Sequence, residues 1–89
     1  MPDLASLPGL GEKSVQPLHR IGLYTESDLR EMGAVAAFYQ CQLAGERPSL
    51  NMLYAMVGAL NRQPWQQVAS QQKEALLQQL ESLKLRHGR

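Results

Sequence analysis

The chain has 89 residues, nine of them basic and eight acidic, for a formal charge of +1, with one cysteine and two histidines. That length suits one domain, and so little net charge is a weak platform for non-specific nucleic-acid binding, which depends on neutralising many phosphates. The lone Cys41 excludes an intrachain disulfide, and no metal-ligand spacing, signal-peptide pattern or membrane-length apolar run is present, so a reducing, cytoplasmic setting without membrane association is expected.

Strand patterns of period two are absent and β-branched residues are few, so the whole chain reads as helical. A short first helix is expected near Asp3 to Leu7, ended by Pro8. The second runs from about Glu12 to Ile21 with Gly22 as its left-handed cap, and Val15, Leu18 and Ile21 share one face. Pro17 lies beyond its first turn and should bend or shorten it. Thr25 is the N-cap of a third helix, with Asp28 three residues on as a capping-box variant, Tyr24 and Leu29 placed as a hydrophobic staple, and Gly33 as its end.

A fourth helix spans Ala34 to Leu43, with Val35, Phe38, Tyr39 and Leu43 facing inward and Gly45 closing it. Ser49 caps a fifth, Leu50 to Asn61. It is apolar nearly all round, as a buried central helix would be, and it leaves room for a homodimer face. Pro64 stops it, and Trp65 and Val68 are expected in a short turn on the core. Ser70 then caps a last helix to about Arg86, with Leu76, Leu77, Leu80 and Leu83 inward. A frayed basic tail of Lys84, Arg86, His87 and Arg89 follows and reads as solvated charge. The fold class is all-α: a compact bundle of about five or six short helices, one domain over residues 1–89, with a helix-hairpin-helix-like N-terminal part.

Leu7, Pro8, Gly9, Leu10 and Gly11 fit the apolar-x-Gly-apolar-Gly pattern of a helix-hairpin-helix turn. Such a turn directs backbone N–H groups outward from a helix N-terminus, where an anion can bind. The candidate nucleic-acid contacts are Gly9, Gly11, Lys13, Ser14 and Arg20, holding a phosphate backbone without reading bases. Glu12 beside the turn opposes them, and the same pattern also serves as a plain joint between helices. Cys41, within an apolar run, reads as a buried inert thiol. His19 reads as a surface histidine, with a phosphate contact as the alternative. No paired carboxylates, nucleophile–base set or phosphate-binding loop is present, so neither an enzyme nor a cofactor or metal site is expected.

Two segments, LPGLGEKSVQPLHRIGLYTESDLREMGAVAAF and PSLNMLYAMVGALNRQPWQQV, resemble the C-terminal domain of the TfoX/Sxy proteins, bacterial regulators of natural competence and DNA transformation. The likeness runs from about Leu4 to Leu80. It implies a small all-helical domain with a helix-hairpin-helix-like opening. It also implies a role near transcriptional activation of DNA-uptake genes, in which such proteins work with the cyclic-AMP receptor protein. The family typically carries a separate N-terminal domain, and none is expected in this chain. Two functional readings follow: a non-enzymatic regulatory module that contacts a transcription factor or other regulatory protein, and a module that makes weak DNA-backbone contacts.

Overall fold

The computed structural model describes residues 4–7 and 10–87. Among these, a 3-10 turn (Leu4–Ser6) precedes five α-helices: α1 (Glu12–Arg20), α2 (Glu26–Met32), α3 (Ala34–Leu43), α4 (Leu50–Asn61) and α5 (Trp65–His87). No strand occurs among the described residues, so the all-α expectation holds. The short helix expected near residues 3–7 is a single 3-10 turn where it is described; Asp3 lies outside the described residues.

Capping chemistry sets the boundaries. Thr25 Oγ1 accepts the Asp28 N–H at 3.2 Å, while an Asp28 carboxylate oxygen accepts the Tyr24 and Thr25 N–H groups at 3.0 and 3.2 Å. The capping box at the start of α2 is therefore complete in both directions. Ser49 Oγ accepts the Met52 N–H at 3.2 Å and starts α4. Helices α1, α3 and α4 end in the same way. The N–H groups of Leu23, Glu46 and Gln63 reach back to the carbonyls of Leu18, Cys41 and Gly58 at 2.9, 3.0 and 2.8 Å. Each closure turns on a residue with positive φ, Gly22, Gly45 and Arg62 respectively.

Pro17 does not break α1, which continues to Arg20. The N–H it lacks would have met the Lys13 carbonyl, and Lys13 is at the exposed surface, where water can satisfy that oxygen. The largest correction concerns the C-terminal helix. No separate turn holds Trp65 and Val68, and Ser70 is an exposed interior residue rather than a cap. The Pro64 carbonyl accepts the N–H groups of Gln67 and Val68 at 3.1 and 3.2 Å, so the helix starts directly after the proline. A proline there loses nothing, because an N–H at a helix start has no intrahelical acceptor.

Helix α4 lies at the centre, with every residue from Met52 to Ala59 buried. Helices α3 and α5 pack against it. Val15 and Leu18 of α1, Leu29 of α2 and Phe38 of α3 complete the core. Two leucines expected inside are not: Leu43 is 59% exposed and Leu50 39%. Around α3 the buried arc is centred on Ala37, Phe38 and Cys41, and Leu43 falls about 140° from Phe38 at helical periodicity. Leu50 occupies the first turn of α4, ahead of the buried run.

The α4–α5 hairpin closes tightly. A Cβ added to Gly58 would lie 2.5 Å from the Gln63 carbonyl oxygen and 3.5 Å from the Trp65 nitrogen. Arg30 adds a second tie at the same end, donating to the Leu60 carbonyl at 3.1 Å and to Glu26 at 2.6 Å. A cation there also suits the negative end of α4. Replacing Gly58 with Ala should cost about 2 kcal/mol by forcing backbone apart, despite the better helix propensity of alanine; urea unfolding at equilibrium measures it.

The hydrogen bonds from the Tyr24 and then the Thr25 N–H groups hold the Asp28 carboxyl below its ordinary value of 3.8. A depressed carboxyl contributes stability above its unfolded pKa and loses it as pH falls through the folded one. Unfolding measured down through the acid range should therefore show the wild type losing stability below about pH 4, with a shallower loss in Asp28→Asn. Glu26, also lowered, chiefly by its hydrogen bond from Arg30, keeps part of the slope.

Candidate functional site

The start of α1 is where the sequence placed an anion site. Gly11 is its N-cap, exposed, with φ −99° and ψ 177°, and makes no side-chain capping bond. Those angles are ordinary extended backbone, so the turn does not need glycine at position 11 for its conformation, and a Cβ there meets open space. Pro8 and Gly9 lie outside the described residues. What precedes the turn is one 3-10 turn. Lys13 is exposed and Ser14 half-buried in the first turn of α1, beside the exposed Glu12.

Arg20 does not join them. It sits at the other end of α1, about 14 Å from Gly11 along the axis, and its guanidinium meets Glu46 at 2.7 Å. His19 is half-buried, its ring stacked on that of the exposed Tyr24 with centroids 5.1 Å apart. Cys41 is fully buried, as expected. Burial, with the Glu46 charge second, pushes its thiol up to about 11, which keeps it protonated and unreactive.

A second feature was not anticipated. A groove of about 560 Å³ runs along α5, walled by the C-terminal part of α4 and the α2–α3 junction. Val35, Val57 and Leu76 form its apolar floor, and Met32 and Arg86 stand at its lip. The signal was present in the spacing of Gln72, Leu76, Gln79, Leu83 and Arg86. Of the four leucines expected to face inward, Leu76 and Leu80 are buried, while Leu77 and Leu83 are half-buried. No helix among the described residues is long and apolar enough to cross a membrane.

The family model of the TfoX C-terminal domain matches residues 1–80. The chain belongs to this family. The match bears out the resemblance read from the sequence and takes in α1 to α4 and most of α5. Among curated proteins, the DNA transformation protein TfoX of Haemophilus influenzae (strain ATCC 51907 / DSM 11121 / KW20 / Rd) is 29% identical over 85 residues, covering 96% of this chain. The chain spans 39% of the length of that relative. No solved structure matches.

Within this TfoX C-terminal domain the glycines differ in what they do. Gly22 holds φ +92°, a conformation that costs an L-residue about 1–2 kcal/mol, so Gly22→Ala should be destabilised by about that much. Gly11→Thr should be neutral or gain about 0.5 kcal/mol, because threonine fits extended backbone and caps the helix at least as well as glycine. Parallel thermal unfolding of the two variants gives the comparison, and loss of folding in Gly11→Thr would restore a conformational need for that glycine.

Proposed function

We propose that this domain is a non-enzymatic regulatory module that acts through protein–protein contacts in the control of competence and DNA transformation. Its partner on this reading is a transcription factor or other regulatory protein, and its setting is the cytoplasm, where transcription is controlled. Relatedness to a DNA transformation protein supports the process. The apolar groove along α5 is the single observation that carries the mode of action. Recognition between proteins exploits a concave apolar floor with a polar rim, whereas a phosphate backbone calls for converging cations. Two of the arginines are already engaged, Arg20 by Glu46 and Arg30 by Glu26. The protonated Cys41 offers no nucleophile.

The uncapped first turn of α1 supports a second reading, weak contact with one DNA backbone through the amides after Gly11 and the exposed Lys13. Anisotropy of a labelled duplex at low and moderate salt separates the two. The regulatory reading expects no binding, or binding unchanged in Lys13→Gln. That variant should stay folded, since Lys13 is exposed. Binding that falls steeply with salt and is lost in Lys13→Gln would replace the protein-contact reading with a phosphate clamp.

A further inference from the structure

We propose that the groove along α5 docks an amphipathic, acidic helix of a partner protein, an assignment that rests on the protein-contact reading above. On the α5 wall, Gln72, Leu76, Gln79, Leu83 and Arg86 follow one another at intervals of four, three, four and three. That alternation keeps one seam facing a neighbouring helix and defines the spacing at which knobs from a partner fit between its side chains. The seam is about 21 Å long, or four helical turns. Val57 and Leu60 of α4 and residues 32–36 form the facing wall. A helix laid between the walls would bury an apolar stripe against Leu83, Leu60 and Met32, above the already buried Leu76.

The charge in the groove selects the occupant. No carboxylate lines it, and Arg86 is its one charged residue. Arg86 is exposed and has no ion-pair partner among the described residues. A cation without an ion-pair partner, in a groove without carboxylates, favours an Asp or Glu beside the apolar stripe.

A second copy of this chain is a poor occupant. Its exposed large apolar side chains are Tyr24, Met32, Leu43, Leu50, Trp65 and Leu85. They stand singly on different elements or at opposite ends of α5, so among the described residues no helix offers an apolar stripe at three- and four-residue spacing.

The test uses the isotope-labelled domain, titrated by NMR with a designed helical peptide of about 14 residues, four turns long. The peptide carries leucines at alternating three- and four-residue spacing and one terminal glutamate. Amide shifts should be confined to residues 32–36, 57–61 and 72–86. Affinity should fall about tenfold in Arg86→Glu, where attraction becomes repulsion, and return when the peptide's glutamate is replaced by lysine. Arg86 is exposed, so the variant keeps the fold.

Shifts centred elsewhere, or indifference to the charge exchange, would overturn the groove while leaving the protein-contact reading in place. No shift up to about 1 mM peptide, beyond any useful affinity, would overturn it as well. If a DNA duplex then moves the amides of residues 11–14, the protein-contact reading falls too. A dimer seen by sedimentation equilibrium and abolished by Met32→Glu would give the groove to a second copy and also overturn the assignment.

Discussion

The middle of helix α4, residues 52–59, has no solvent face, and the placement of the other helices follows from that constraint. Eight consecutive buried residues, Met52 to Ala59, need apolar neighbours on every side. Full burial of a side chain such as Leu53 or Met56 contributes about 1.5–3 kcal/mol, so the run outweighs any local preference of the short helices around it. A helix satisfies its own backbone everywhere except at its ends. At those ends Ser49 takes the first turn, while Arg62, Gln63 and the Arg30 guanidinium serve the last carbonyls. The helix whose middle is wholly buried is thus capped by chemistry at both ends.

The same constraint makes the groove. Helix α4 has 12 residues and α5 has 23. At 1.5 Å per residue α5 is about 35 Å long, matching the 35 Å long dimension of the described chain. It therefore runs beyond the helix it covers, and the start of α3 flanks the remainder. The space between is an apolar concavity with little to fill it. Gly58 contributes at the other end, because the close approach it permits lets α5 turn back directly onto α4.

Electrostatics point the same way. The chain is nearly neutral overall, and the arginines at the ends of α1 and α2 spend their charge on Glu46 and Glu26. The residues that suggested a phosphate grip are spread along α1, with Gly11, Lys13 and Ser14 in the first turn and Arg20 at the far end. A cation two and a half turns away does not converge with them on one phosphate.

Local signals were legible in the sequence. Thr25 with Asp28, Ser49, Gly22, Gly33 and Gly45 marked helix ends correctly, because capping and positive φ are decided within a few residues of chain. The all-round apolar run over residues 52–59 announced burial for the same reason, and the family was readable from the LNMLYAM helix and the segments around it. The continuity of α5 through Ser70, the exposure of Leu43 and Leu50, the pairing of Arg20 with Glu46 and the groove itself were not. Each depends on which face meets which neighbour and on how far one helix outruns another. Those are properties of packing between residues distant in the chain, and only the tertiary structure decided them.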